Sequence, residues 1–294
     1  MPDLPGLTYP TYPTYLIQNA PVTSDLPIGV FDSGVGGLTV LRALRRRLPH
    51  ESLIYLGDTA RLPYGTKSPE SVVRYATQAT DHLVTRGIKL LVVACNTASA
   101  VSLDPLRERF RPLPVVGVVE PGAAAAVAAG RAQRHLVLAT ESTVSRHAYA
   151  RAIHQLAPAA EVTEIACSVL VALAEEGWTA GPVAEAAARA YLTPVLTAGG
   201  VPAPETIVLG CTHFPPLEPT IRAVAGPGPT IVDSATTTAE HVARLLDDLH
   251  LGRANSAAGA LRFLATDGAE RFARVGSRFL GEPLQASDVE IVDL

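Results

Sequence analysis

The sequence predicts an α/β protein with two pseudo-symmetric domains, each a mostly parallel sheet flanked by helices, and an active site in the cleft between them. Short runs of branched apolar residues alternate with segments of helical spacing, which is typical of parallel sheets. The stretches LLVVACNTASA (90–100) and IVLGCTHFPP (207–216) repeat one pattern, a buried strand that ends at a cysteine followed by hydrogen-bonding residues. A length of 294 residues also favours two domains over one.

The composition narrows the classes of function. Hydrophobic residues make up 48% of the chain and charged residues 18%, as in ordinary globular proteins. The net charge of −4 gives no electrostatic basis for binding nucleic acid. Three cysteines are too few for a disulfide framework, no apolar run reaches the length of a membrane span, and residues 1–27 lack the lysine or arginine of a secretory signal. We therefore expect a cytoplasmic protein with free thiols and no membrane partner.

The first elements of the chain follow an N-terminal arm. Residues 1–26 are rich in Pro, Tyr and Thr, which predicts an extended arm outside the fold. A strand at 28–31 leads into DSGVGG (32–37) and a helix at 38–48, an arrangement that favours anions at the helix N-terminus. The glycine spacing matches neither GxGxxG nor GK[ST], so a dinucleotide or nucleoside triphosphate is disfavoured.

The next elements continue the alternation of strand and helix. A strand at 52–56 precedes a polar loop at 57–65. Ser68-Pro69-Glu70 then supplies an N-cap, a first-turn proline and a first-turn acid for a helix that Gly87 closes. The rest of this half consists of a strand at 90–93, a helix from 98 to 110 and a strand at 115–118.

From Glu120 the same pattern restarts. The strand predicted at 135–138 is followed by Thr140 and Thr143, and either could occupy the position that Asp32-Ser33 has in the first half. Pro194 should kink or end the helix that contains it. The other predicted elements are a helix through 157, a strand at 162–165, helices at 170–176 and 182–198, the strand before Cys211, a strand at 230–233, a helix at 236–251, a strand at 261–264, a helix at 270–280 and a strand at 289–292.

The segment after the second copy is too short to form a third domain. We therefore expect it to return and complete the first one. Residues 27–119 and 229–294 then make up the first domain, and residues 120–228 make up the second. This arrangement predicts that Cys95 and Cys211 face each other across one cleft, at the carboxyl ends of their strands, where open α/β sheets bind ligands.

Two facing cysteines suit one kind of chemistry. A cysteine after an apolar strand is usually a small buried hydrophobe, but two in matching positions favour a functional pair. Inverting a tetrahedral carbon that bears hydrogen requires a base on one face and an acid on the other, which a thiolate and a thiol provide. His213 is the natural proton partner of Cys211, whereas Cys95 is followed by Asn96, Thr97 and a helix start.

Other thiol and cofactor chemistry is disfavoured. Cys167 precedes an apolar helix and is expected in the core. The sequence has no C-x-x-C pair and no clustered ligands for zinc, so we expect no metal. Lys67 and Lys89 are poorly placed to form a Schiff base with pyridoxal phosphate, and we therefore expect no cofactor.

Five motifs resemble the glutamate racemase family of the cofactor-independent aspartate/glutamate racemase superfamily. They are FDSGVGGLTVLRAL, YLGDTARLPYGTKS, LVVACNTASA, VGVVEPG and LGCTHFP, in this order between about residues 28 and 251. The resemblance implies two α/β domains with the active site between them. It also implies that the reaction needs no cofactor and that D-glutamate is supplied for peptidoglycan synthesis in the bacterial cytoplasm.

The resemblance implies roles for individual residues. Cys95 corresponds to the base that acts on the D-enantiomer and Cys211 to the base that acts on the L-enantiomer. Asp32 and His213 match positions that assist the thiols, and Glu175 best fits a glutamate near the second thiol, with Glu176 left open. The family's two prolines before this glutamate are missing here, in 166–173. The residues expected to bind substrate are Asp32, Ser33, Pro63, Tyr64, Gly65, Asn96, Thr97, Thr140, Thr143, Thr212 and His213.

Three alternatives stay open at this point. The same chemistry could act on aspartate, because aspartate and glutamate differ by one methylene. The same cleft could belong to a non-catalytic binder of acidic amino acids, in which the thiols are inert. The Pro/Tyr arm could bind a regulatory partner. Separately, this protein could form a homodimer, because many small enzymes are two-fold symmetric dimers.

Overall fold

The computed structural model describes residues 23–197 and 203–294 of the chain. Within these ranges the central strands are buried runs rich in β-branched residues and leucine, as predicted, whereas the edge strands at 161–166 and 289–291 are largely exposed or half-buried. They are β1 (Ile28–Asp32), β2 (Leu53–Gly57), β3 (Leu90–Val93), β4 (Val115–Gly117), β5 (Arg134–Ala139), β6 (Glu161–Ala166), β7 (Thr206–Gly210), β8 (Thr230–Asp233), β9 (Leu261–Ala265) and β10 (Val289–Ile291).

Helices connect successive strands, and each described helix longer than one turn buries one face on a sheet or a neighbouring helix. Short 3₁₀ turns occur at Tyr64–Thr66, Pro215–Leu217 and Ala286–Asp288. The helices are α1 (Leu38–Arg47), α2 (Pro69–Thr85), α3 (Asn96–Arg109), α4 (Val119–Ala129), α5 (Glu141–Ser145), α6 (Ala148–Leu156), α7 (Ser168–Glu176), α8 (Pro182–Leu196), α9 (Glu218–Ala225), α10 (Ser234–Asp248) and α11 (Ala269–Leu280).

Two parallel sheets confirm the predicted fold class. The first has six strands in the order β10-β9-β2-β1-β3-β4, and the second has four in the order β6-β5-β7-β8. In the first sheet, Val30 of β1 lies in register with Tyr55 of β2 and Val92 of β3. The central strands are buried on both faces. Because β1 and β3 pair in parallel, their carboxyl ends come together at one edge of the sheet. Helix α11 packs against α1 and β10 and thus completes the six-stranded part.

The predicted boundary between the domains is wrong at one strand. Residues 229–294 were expected to return to the first domain, but β8 pairs with β7 in the four-stranded sheet, with Ile207 in register with Ile231. The physical reason is the short crossover through α9, which places the next strand beside β7. The chain leaves the second sheet only after β8, through α10, which packs against both α1 and α4.

Two helix predictions need correction. The single helix expected up to residue 157 is divided into α5 and α6, because His147 takes a left-handed conformation (φ 49°) between them. The helix predicted at 182–198 ends at Leu196, just after Pro194. A proline this close to the end removes a hydrogen bond only from the last turns, so α8 tolerates it.

The end of the N-terminal arm packs on the fold. Residues 1–22 of the predicted arm lie outside the described residues. Ser24, however, accepts a hydrogen bond through its carbonyl oxygen from Nζ of buried Lys89 at 2.6 Å. The prediction that the whole of 1–26 lies outside the fold is therefore wrong for its last residues. Among the residues the structure describes, no helix is both long enough and apolar enough to cross a membrane.

Candidate active site

A cavity of about 330 Å³ lies where the carboxyl ends of the two sheets face each other. Cys95, two residues after the end of β3, and Cys211, directly after β7, both line it. The cavity thus contains the two copies of the repeated strand-end motif. The other lining residues are Ser33, Gly34, Val35, Leu62, Pro63, Tyr64, Gly65, Thr66, Asn96, Thr97, Thr140, Glu141, Ser168, Val171, Ala172, Glu175, Thr212 and His213.

Cys95 is held as the N-cap of α3. Its Sγ accepts a hydrogen bond from the backbone N–H of Ala98 at 3.4 Å, and its thiol donates to Oγ of Ser33 at 3.5 Å. Burial is the main reason that the pKa of Cys95 rises, to about 12, and the negative charge of Asp32 adds to this effect. Cys95 is therefore a thiol at neutral pH.

Asp32 does not line the cavity, although the sequence predicted it as both an assisting and a substrate-binding residue. Its carboxylate is buried and accepts a hydrogen bond from the N–H of Gly34 at 2.8 Å. Burial raises the pKa of Asp32, while the positive charge of His213 opposes this. Gly37 packs so closely that a Cβ there would lie 2.6 Å from the Asp32 Cβ. Asp32 thus lies behind the glycine-rich loop, outside the cavity lining.

Cys211 begins a chain of hydrogen-bonding groups. Its Sγ lies 3.8 Å from Nδ1 of His213, whose Nε2 lies 3.1 Å from Oε1 of Glu175. Burial lowers the pKa of His213, but the hydrogen bonds with Cys211 and Glu175 outweigh burial and raise it to about 10. The hydrogen bond with His213 lowers the pKa of Glu175 to about 2. Of the two glutamates that the sequence left open, Glu175 is the one that contacts His213.

Asn96 joins the two cysteine motifs. The hydroxyl of buried Tyr149, on α6, lies 2.8 Å from the Asn96 amide. With the amide nitrogen turned toward this hydroxyl, Asn96 also donates to the carbonyl oxygen of Gly210 at 3.2 Å and accepts from the N–H of Thr212 at 3.3 Å. The residue after Cys95 therefore contacts the residues on either side of Cys211. Tyr149 is a contributor that sequence reasoning missed.

Three threonine hydroxyls form a chain beside Cys95. Oγ1 of Thr97 lies 3.1 Å from Oγ1 of Thr140, which lies 3.1 Å from Oγ1 of Thr143. Thr140 lines the cavity, whereas Thr143 is fully buried behind it. Of the two threonines that the sequence left open, Thr140 is therefore the one able to contact a ligand.

The Pro63-Tyr64-Gly65 loop is organised by Asp58, which sequence reasoning also missed. The buried Asp58 carboxylate accepts hydrogen bonds from the Tyr64 hydroxyl, from Nε of Arg61 at 2.7 Å and from Oγ1 of Thr266 at 3.0 Å. Burial and the charge of Asp58 raise the pKa of Tyr64, so its hydroxyl stays protonated. Asp58 could have been identified from the sequence, because it is an acid at the first polar position after a buried strand and an arginine follows three residues later.

Two further predictions from the sequence concern metal binding and Cys167. Within residues 23–197 and 203–294, no group of three or more His, Cys, Asp or Glu side chains is arranged to hold a metal ion. Cys167 is buried outside the cavity lining, as predicted for a core residue, and donates to the carbonyl oxygen of Ile165 at 3.5 Å.

Comparison with known proteins identifies the family. A model of the family "Asp/Glu/Hydantoin racemase" matches residues 36–242. The glutamate racemase of Geobacter metallireducens is 50% identical over 257 residues, which are 87% of this chain and 93% of that protein.

Solved structures of two glutamate racemases each cover 92% of this chain and 98% of their own. The one from Thermus thermophilus, in complex with β-chloro-D-alanine, is 42% identical with a TM-score of 0.81. The one from Francisella tularensis, in complex with D-glutamate, is 33% identical with a TM-score of 0.83. The chain therefore belongs to the Asp/Glu/Hydantoin racemase family, in the group of the glutamate racemases.

Proposed function

We propose that this protein interconverts L- and D-glutamate by a two-base mechanism that uses Cys95 and Cys211 and no cofactor. The observation that carries the proposal is the pair of strand-end thiols, which come from different sheets and line one cavity. A single base could exchange the α-hydrogen but would return it to the same face of the carbon. Two thiols that approach from different domains supply the acid and the base that inversion needs.

In the direction that starts from L-glutamate, Cys211 is the base. The Cα–H bond breaks, the proton moves to Sγ of Cys211, and the electron pair stays on Cα and spreads into the adjacent carboxylate. The S–H bond of Cys95 then breaks as its proton bonds to the opposite face of Cα, which leaves a Cys95 thiolate. The reverse sequence converts D-glutamate, with Cys95 as the base.

The protonation states of the free site favour this order. Burial and Asp32 raise the pKa of Cys95 to about 12, so Cys95 carries the proton that it must donate. The pKa of His213 is about 10 despite burial, so its imidazolium lies beside Cys211 and compensates a thiolate there. The free site therefore holds a protonated acid at Cys95 and a positive charge on His213 beside Cys211.

The lining of the cavity suits a substrate with two carboxylates and an ammonium group. Thr97, Thr140 and the 3₁₀ turn after Pro63 offer hydroxyl and backbone N–H donors on one side, and Thr212 offers a hydroxyl on the other. Glutamate is favoured over aspartate because the relatives with 50% and 42% identity are glutamate racemases. The product would feed peptidoglycan synthesis in the cytoplasm.

The test is incubation with L-glutamate in deuterated water without added cofactor, while circular dichroism and α-hydrogen exchange are followed together. We expect optical activity to vanish as deuterium enters the α-position. Exchange without inversion would mean that only one thiol is competent. Activity with aspartate alone would favour that alternative substrate. Absence of both activities, with glutamate still protecting the thiols from alkylation, would favour a non-catalytic binder.

A further inference from the structure

Helix α11 lies in the six-stranded domain, yet three of its side chains contact the groups behind Cys211. Phe279 packs edge-on against the His213 ring, with 5.1 Å between the centroids. Nη2 of Arg271 lies 2.7 Å from Oε2 of Glu175. Arg278 donates from Nη1 to the carbonyl oxygen of Glu175 at 2.5 Å. A helix of one domain therefore holds both the carboxylate and the backbone of a residue that belongs to the other.

We infer that Arg271 is a positioning residue for the proposed base, because it holds the Glu175 carboxylate against the His213 ring that lies beside Cys211. The inference rests on the proposed function. Arg271 is not itself a lining residue of the cavity, and its contact with the site is through the carboxylate of Glu175, which does line it.

The two carboxylate oxygens of Glu175 have different partners. Oε1 faces His213 at 3.1 Å, and Oε2 faces Arg271 at 2.7 Å. The Glu175 side chain is 21% exposed, so without a second partner it could turn toward water. An arginine on Oε2 selects the rotamer in which Oε1 reaches the imidazole, in the way that outer partners orient the ligands of metal sites. Glu175 then contributes to the site as a fixed charge.

The direction in which removal of Arg271 shifts the protonation of His213 distinguishes a positioning role from a purely electrostatic one. Arg271 is a cation, so its charge alone disfavours a positive charge on His213. Because its side chain is 47% exposed, that repulsion is screened by water and salt. If Arg271 acts by charge alone, removing it should favour the imidazolium. If it acts by holding Glu175, removing it should disfavour the imidazolium, and this is the outcome that we expect.

The test compares Arg271→Met, Arg271→Lys and Arg274→Met. Methionine keeps the length of the side chain without its charge, and lysine keeps the charge. Arg274 is exposed on the same helix, where the structure shows no contact with Glu175, and so provides a matched control. Two quantities are measured for each variant, the pH dependence of kcat/KM and the NMR titration of His213. Fluorescence of Trp178, the single tryptophan of the sequence, checks that the end of α7 has not moved.

For Arg271→Met we expect kcat/KM to fall by about 3- to 10-fold at neutral pH, with the His213 titration moved to lower pH. Arg271→Lys should recover most of both properties, and Arg274→Met should match the wild type. An unchanged or upward-moved titration would overturn the inference, as would a loss of activity with no change in the pH profile. If the wild type itself does not racemise glutamate, the proposed function fails, while the NMR titration still decides the role of Arg271.

Discussion

Cys95 and Cys211 occupy matching strand ends but lie in opposite electrostatic surroundings. Cys95 faces the buried carboxylate of Asp32, which adds to burial in raising the pKa of the thiol. Cys211 lies 3.8 Å from the imidazole of His213, which Glu175 supports from the other side. An approximate two-fold arrangement of strands therefore carries an asymmetric pair of charges. In the proposed mechanism, the two thiols therefore act from different electrostatic surroundings in the two directions of the reaction.

Replacing either cavity thiol should abolish racemisation. We expect Cys95→Ser and Cys211→Ser each to lower kcat by at least about 1000-fold, because a serine hydroxyl is a far weaker acid than a thiol and cannot serve as the base. The rates are measured by circular dichroism with each enantiomer of glutamate. Cys167→Ser is the control, since Cys167 lies outside the cavity lining and serine can still donate to Ile165. A few per cent of wild-type activity in either cavity variant would contradict the two-base proposal.

The pH profile should carry the signature of His213. Its pKa is raised from 6.5 to about 10, so the imidazolium persists through neutral pH and is lost as the pH rises through about 10. We therefore expect kcat/KM for L-glutamate to stay level near neutral pH and to fall along that alkaline limb. His213→Asn should lower kcat/KM and remove the limb. A midpoint near the ordinary histidine value in the wild type would show that Glu175 and Cys211 do not support the charge.

At the residue scale, short-range patterns located the site and left its distant partners undetermined. Both thiols and His213 could be predicted because each lies within three residues of the end of a buried strand. The choice between Glu175 and Glu176 could not, because adjacent helix positions point in different directions and the deciding partner comes from another strand end. Arg271 was out of reach for the same reason, since it lies 96 residues from Glu175 in sequence.

At the scale of elements, α3 and α6 meet behind the cavity, and one hydroxyl of α6 fixes the first residue of α3. Tyr149 is fully buried, and its hydroxyl lies 2.8 Å from the amide of Asn96. Gly122 and Gly210 make room for the ring, since a Cβ at either would lie 3.1 or 2.9 Å from it. The start of α3 is thereby tied to the end of β7, and with it the relation between the two thiols.

Tyr149→Phe should therefore disturb catalysis more than folding. We expect kcat to fall by about 10-fold with a smaller change in KM, because Asn96 loses a partner and the two thiol-bearing segments gain freedom relative to each other. The free energy of unfolding should drop by about 1 to 2 kcal/mol, as for the loss of a buried hydrogen bond. Steady-state kinetics and urea denaturation measure the two effects.

Tyr191→Phe supplies the comparison for that experiment. The hydroxyl of Tyr191, a partly buried residue of α8, accepts a solvent-exposed hydrogen bond from the N–H of Val169. The Tyr191→Phe substitution should leave both kcat and the free energy of unfolding close to those of the wild type. If Tyr149→Phe behaves in the same way, the hydroxyl of Tyr149 does not position Asn96.

The errors at this scale share one cause. The buried strands were predicted because apolar runs mark them directly, whereas the allocation of β8 depended on which sheet edge was free. The division between α5 and α6 depended on a left-handed residue, His147, in a segment whose composition suits a helix throughout. Local composition carries neither piece of information, because strand order and single backbone conformations are decided by tertiary packing.

For the whole molecule, a buried cation joins segments that lie far apart in sequence. The Lys89 side chain is fully buried, with Nζ 2.6 Å from Oε2 of Glu51, 2.6 Å from the carbonyl oxygen of Ser24 and 2.7 Å from that of Leu251. Glu51 in turn accepts from the N–H of Arg253 at 2.8 Å. This cluster connects the end of the arm, the entry to β2 and the segment that leads from α10 into β9. The sequence marked Lys89 only as unsuited to a Schiff base.

Breaking the cluster should destabilise the molecule without touching the cavity. Lys89→Met leaves the buried Glu51 carboxylate without its cation, so the free energy of unfolding should fall by about 3 to 5 kcal/mol. Lys89→Met combined with Glu51→Gln should be more stable than Lys89→Met alone, by about 1 to 2 kcal/mol, because the uncompensated charge is gone. Lys67→Met, at the exposed second lysine, should change stability by less than about 0.5 kcal/mol. Urea denaturation measures all three, and a Lys89→Met protein as stable as the wild type would mean that the cluster contributes nothing to holding these segments together.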